Sequence, residues 1–172
     1  MWRVKVGCLG IVVVAGFAFF AVNERLGTPG LDTVIDGMKC SGPGPVAYHV
    51  RAHLTILERG RQILVPPNIG RSGNRCWYWL HTHDFSGLIH IESTDRNFQP
   101  RLGQFFDLWK QPLSEKKVAT VPTGHGRSIK AFVGRTPYGG DPRMIRLQNH
   151  TTLSIEIGPP FPIPRPFRFA TP

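Results

Sequence analysis

The chain has 172 residues and a net charge of +10, and Gly 19 and Pro 16 together make up about a fifth of it. That length suits one domain with appendages, and the Gly and Pro content favours short strands joined by turns while stopping short of wholesale disorder. The charge calls for an acidic partner; no Arg/Lys run interleaved with aromatics forms a stacking platform, which together with the export expected below weighs against nucleic acid and points to a membrane surface or a protein.

Residues 1–25, MWRVKVGCLGIVVVAGFAFFAVNER, place Arg3 and Lys5 before an uncharged apolar run from Val6 to Val22, with Asn23, Glu24 and Arg25 after it. A helix of about 17 residues spans about 26 Å, the low end for a bilayer and longer than most signal-peptide cores. Bulky Phe17, Phe19 and Phe20 crowd the positions where a cleavage site needs small residues, and Cys8 lies at the start of the run and not after it, where a lipoprotein signal would have it. The expectation is one retained transmembrane helix in lipid, a bacterial inner-membrane anchor with its start in the cytoplasm and the rest in the periplasm; a cleaved export signal is the alternative. Beyond it, the only cysteines are Cys40 and Cys76. In an oxidising compartment an even pair reads as a disulfide, against two buried thiols as the alternative.

Residues 26–45, rich in Gly and Pro, read as a linker. From Val46 the text VAYHVRAHLTIL alternates apolar and polar residues, the period of a strand, and ERGRQ turns it into ILVP, so Thr55 to Val65 predicts a hairpin. Pro66, Pro67, Gly70 and Gly73 mark a loop. Cys76 to His83 and Leu88 to Glu92 read as two more strands across the turn DFSG. In RLGQFFDLWKQPLS, Leu102, Phe105, Phe106 and Trp109 fall at helical spacing, and Pro112 stops the helix after Gln111. SIKAFV and TLSIEI read as the last strands, separated by the turn-rich RTPYGGDPR. Residues 46–158 therefore predict a mainly β domain, a small antiparallel sandwich or barrel with one short helix. Residues 159–172, with Pro at alternate positions, read as an extended arm.

Strand parity puts His49 and His53 on one face, likewise His81 and His83, and His90 and Glu92. If these strands are neighbours, His53, His81, His83 and His90 are candidate ligands for Zn or Cu, with His49 and Glu92 beside them, because neutral imidazole binds both metals and a rigid sheet can fix several such groups. No Cys or Met joins the group, which argues against a copper(I) carrier. The competing reading is an outer sheet face whose imidazoles hydrogen-bond to Asp84 and Glu92, half covered by Trp77 and Trp79. Catalytic residues are not expected: Ser86, Asp84 and His83 crowd one turn without a nucleophile elbow. GRSGNR and PTGHGRS do not match a phosphate loop, and His125 reads as a loop residue.

The stretches AHLTIL, YWLHTHDFSGLIHIES and LGQFFDLWKQPLS resemble an uncharacterised family of exported or membrane-tethered bacterial proteins, over roughly Val46 to Ser114 and the final strand near IEIG. The resemblance implies an extracytoplasmic β domain and no particular activity. The family's first strand reads H-x-H-A-H, whereas this chain has HVRAH. Arg51 thus stands at the middle position, and a permanent cation there opposes a dication.

The arm carries Phe161, Arg165, Phe167, Arg168 and Phe169, aromatic and Arg groups of the kind enriched in interfaces. With the anchor it points to a non-catalytic accessory subunit whose extracytoplasmic domain docks on a larger integral membrane protein complex, such as a photosynthetic or respiratory one. The alternative is a periplasmic metal-binding protein.

Overall fold

The computed structural model describes residues 33–41, 46–73 and 75–169. The predicted membrane helix lies outside them, and among the described residues no helix is long and apolar enough to cross a membrane.

The frame is a seven-stranded sheet built on one long strand, β1 (Tyr48–Glu58). At its end Arg59 and Gly60 both adopt positive φ, 49° and 81°, and return the chain antiparallel into β2 (Arg61–Ile63), the predicted hairpin. A two-residue turn with φ positive at both positions matches the right-handed twist of the strands it joins. The stretch read as one strand from Cys76 to His83 divides. Cys76–Trp77 pairs with Arg71–Ser72 in a small separate ladder, and β3 (Leu80–His81) joins the main sheet beside β4 (Leu88–Ser93). The break falls at Tyr78, whose N–H leaves the ladder to donate to the Gly70 carbonyl at 2.8 Å.

The helix, α1 (Leu102–Trp109), opens with the Gln104 side chain accepting the Arg101 N–H at 2.9 Å. It ends before the predicted Gln111. Lys110 takes a left-handed conformation (φ 56°) and its N–H closes on the last carbonyls, leaving Pro112 to prevent a restart. After it come β5 (Ser128–Val133), β6 (Thr136–Tyr138), a short 3-10 turn at Pro142–Met144, and β7 (Thr152–Gly158). β6 lies inside the stretch read as turn.

The strand order is β6-β5-β7-β1-β4-β3, with β2 against the end of β1. The sheet is mixed, which corrects the antiparallel reading: β7 runs parallel to β1, from Thr152 beside His53 to Ile157 beside Glu58. A parallel pair needs a crossover, and the whole chain between the two strands serves as one. β7 is buried along nearly its full length, as a parallel strand covered on both faces must be.

One face carries the core, where Ala52, Leu54, Ile56, Leu80, Ile89, Ile91, Leu153, Ile155 and Ile157 meet Leu102, Phe105 and Phe106 of α1. Two segments placed outside the domain by the sequence reading belong to it. Val34–Ile35 and Met38–Lys39 form a hairpin within the span read as linker, Met38 and Cys40 are buried, and a Cys40–Cys76 disulfide ties them to the Cys76–Trp77 strand. The arm returns along the outer face: Phe161 lies under Lys130 of β5 (4.6 Å), Phe167 stacks on His53 of β1 (3.7 Å), and Phe169 on His150 (4.5 Å). Ser154 and Glu156 point to this face, yet each is only 1% exposed.

Candidate metal centre

Register assembles the histidines. His81 of β3 stands opposite His90 of β4, His90 opposite Arg51 of β1, and Glu92 opposite His49. Because Leu80, Ile89, Ile91 and Ala52 turn inward to the core, alternation sends these side chains to the outer face. His81 is nevertheless 1% exposed. The loop before β3 walls it in: the Asn68 N–H donates to the Thr82 carbonyl (3.0 Å), the Thr82 N–H to the Ile69 carbonyl (3.1 Å), and the Thr82 hydroxyl to the Pro66 carbonyl (2.8 Å). Gly70 makes the approach feasible, since a Cβ there would lie 2.1 Å from the Leu80 carbonyl oxygen. Trp77 covers the ring at 5.3 Å, and the Arg71 guanidinium lies 4.3 Å over that indole.

The hydrogen bonds determine the tautomers. His81 Nδ1 lies 3.1 Å from the Tyr78 carbonyl, which only accepts, so Nδ1 carries the proton and Nε2 presents a lone pair. His83 Nε2 is 3.1 Å from that lone pair and donates to it, while His83 Nδ1 faces an N–H of Arg71 at 3.5 Å. His90 stacks on His81 (5.6 Å, 11°) and meets His83 edge-on (4.3 Å). The ligand nitrogens of His81, His83 and His90 all lie within 4.8 Å of one another. Tetrahedral zinc wants nitrogens about 3.4 Å apart, as follows from bonds of about 2.0–2.1 Å.

Protonation is suppressed here. Burial pushes His81 down to about 4, with His83 and Arg71 adding to it and the Tyr78 carbonyl opposing. Burial likewise takes His90 to about 4, reinforced by His83 and His81 and opposed by Glu92. Both are neutral at physiological pH and ready to ligate. A carbonyl holding one ring nitrogen while the other faces the site is the usual support of a metal-bound histidine.

A second group adjoins the first. His49 Nε2 lies 3.3 Å from Glu92 Oε1, and His49, His90 and Glu92 also bring ligand atoms within 4.8 Å of one another, so His90 belongs to both groups.

His53 joins neither group. Its Nε2 donates to the Ser86 carbonyl (2.9 Å), its ring is stacked on Phe167, and burial lowers its proton affinity. Arg51 stands on the ligand face opposite His90, but the cation that bears on His81 is Arg71, which sequence reasoning missed. The only signal for Arg71 was a cation one turn ahead of Trp77, its register partner. Asp84 accepts the Ser86 N–H (2.8 Å) and Ser86 Oγ accepts the Leu88 N–H (3.1 Å), so both side chains are engaged in the turn. His125 occupies a turn with φ 50°. In the arm, Phe161, Phe167 and Phe169 contact the domain itself, whereas Arg165 and Arg168 are exposed.

Comparison with protein-family models, with curated proteins and with solved structures finds no match to this chain.

Proposed function

We propose that this protein binds one transition-metal dication, zinc or copper(II), through His81, His83 and His90 in a domain held outside the cytoplasm. The observation that carries the reading is the trio itself: three imidazoles with ligand nitrogens within 4.8 Å of one another, His81 with its tautomer fixed by the Tyr78 carbonyl. Three nitrogen ligands leave a fourth position for water or a donor from elsewhere, and the absence of thiolate or thioether among them favours zinc or copper(II) over copper(I). The Cys40–Cys76 bridge supports an oxidising compartment, and the apolar run of residues 6–22 supports tethering at a membrane. The test is titration of the metal-free domain with each ion, followed calorimetrically and by elemental analysis. One equivalent bound by the native chain, its affinity largely lost on replacing His81 and His83 together by Ala, is the expected result. Binding of undiminished affinity in the double variant would move the site elsewhere.

A second reading is an accessory subunit docked on a membrane protein complex. It is favoured by a groove of about 1050 Å³ where the arm leaves β7, lined by Phe132, Tyr138 and Phe161 with Lys130 and Arg143, and by the outward display of Arg165 and Arg168. Purification in mild detergent distinguishes the two. Co-purifying membrane proteins lost on reversing Arg165 and Arg168 to Glu support docking; a monomer that retains metal leaves the first reading alone.

A further inference from the structure

The two histidine groups differ in two respects, and overlap in a third, that bear on how an ion would enter. They differ in their most buried member: His81 of the inner group is 1% exposed, although His83 beside it is exposed, whereas in the outer group the His49 side chain is 55% exposed and that of Glu92 23%. They differ in charge, because the outer group holds a carboxylate and the inner one only imidazoles. They also share one member, His90, which stands one register step from the His49–Glu92 pair and directly opposite His81.

An aquated dication exchanges its waters stepwise, and in a chain of net charge +10 it is repelled at long range. An exposed carboxylate beside an imidazole is a suitable first contact, since it supplies local negative charge and can bind an ion that keeps most of its waters. With the His49 side chain open to solvent, water competes for the ion there, so an ion held at that point exchanges readily. The inner group offers three nitrogens, of which that of His81 is shielded by Trp77 and the loop before β3, and is the better resting place. A ligand common to both groups can stay bound to the ion while the others are exchanged.

We infer that His49, Glu92 and His90 form an outer capture site that hands a zinc or copper(II) ion to the inner His81–His83–His90 site, with His90 the ligand carried across. The inference rests on the metal-binding reading above. It assigns His49 and Glu92 to the rate of loading and His81 and His83 to the affinity of the loaded state. One ion is bound at a time, because a single His90 serves both positions.

The experiment is stopped-flow loading of the full chain with zinc released from a chromophoric chelator, beside equilibrium titration of the same samples. His49→Ala and Glu92→Gln should keep one equivalent and an affinity within about threefold of the native chain, while loading slows about tenfold and loses part of its salt dependence. Replacing His81 and His83 by Ala should leave weak, fast binding that Glu92→Gln abolishes. Unchanged loading rates in both outer variants overturn the relay yet leave the metal site standing, and two ions bound simultaneously by the native chain do the same. An affinity loss in His49→Ala as large as that in His81→Ala makes His49 a permanent ligand and also overturns it. A native chain that takes up no ion removes the metal reading itself.

Discussion

Lowering the pH of the metal-free protein from 7 to 5 should destabilise it, and His81 is the side chain from which the size of the effect can be worked. Its folded pKa is about 4 against 6.5 unfolded, so the unfolded chain takes the proton first. With a depressed folded value the sign is fixed: stability is full above 6.5, falls as pH drops through the window between 6.5 and about 4, and levels off below it. Integrating across the window gives about 3 kcal/mol, of which about 2 kcal/mol is lost by pH 5. His90 shifts in the same direction but is half-buried, and its share is discounted for solvent screening. Against a total of about 5–15 kcal/mol for a domain, the loss is large. Urea unfolding followed by tryptophan fluorescence at the two pH values measures it. His81→Asn is the control, since an amide nitrogen can still donate to the Tyr78 carbonyl but carries no proton to titrate. The variant should be weaker at pH 7, having lost ring packing, yet its drop on acidification should be smaller by about 2 kcal/mol. An identical drop in the native chain and the variant would show that His81 is not the group held neutral by burial.

Reducing the Cys40–Cys76 bridge, which closes a loop of sequence separation 36, should lower stability by about 3–4 kcal/mol in the loop-entropy account, seen as a fall in melting temperature in reductant. Gly70→Ala should destabilise by more than about 2 kcal/mol and impair metal uptake, because its φ of 68° and a Cβ 2.1 Å from the Leu80 carbonyl both force the loop off β3. Gly60→Ala, with φ 81° but open space around it, should cost only about 1 kcal/mol and leave uptake unchanged. Phe167→Ala removes the stack on His53 and should cost about 1–2 kcal/mol, and deletion of residues 159–172 more; a melting transition unchanged by the deletion would contradict the arm's role in the fold.

The elements that could be read from the chain are those whose signal is local. Arg59-Gly60 between two alternating runs is a hairpin wherever it occurs, the apolar spacing from Leu102 to Trp109 permits little besides a helix, and two cysteines beyond the apolar run leave one pairing. The parallel β7–β1 ladder had no such signal, because TLSIEI carries nothing that says which strand it will lie against. Met38 and Cys40 escaped for the opposite reason: isolated apolar residues among Gly and Pro have no period, and only the disulfide and the packing against α1 draw them into the core. The arm was readable as extended but not as folded back, since what seats Phe167 is the flat face of His53, more than a hundred residues away in no local pattern.

The ligand set turns on the same distinction. Parity groups His49 with His53, but four residues along a strand separate them by about 13 Å, far beyond the reach of one ion. Two histidines on the same face of one strand therefore seldom share a metal unless they are neighbours in that parity; His81 ends β3, and His83 stands two residues on in the bend that follows. What decides the rest is which residue stands across the ladder, and register is a tertiary property: it puts His90 beside His81, and leaves His53 to a backbone carbonyl and a phenyl ring. The Arg51 substitution has a different meaning in that frame. A cation in the middle of three same-strand histidines would block a site built along β1, yet the inner group is built across β3 and β4 with β1 contributing nothing to it. Arg51 stands opposite His90, the member common to the two groups, and the cation in contact with the inner imidazoles is Arg71, 3.5 Å from His83 Nδ1.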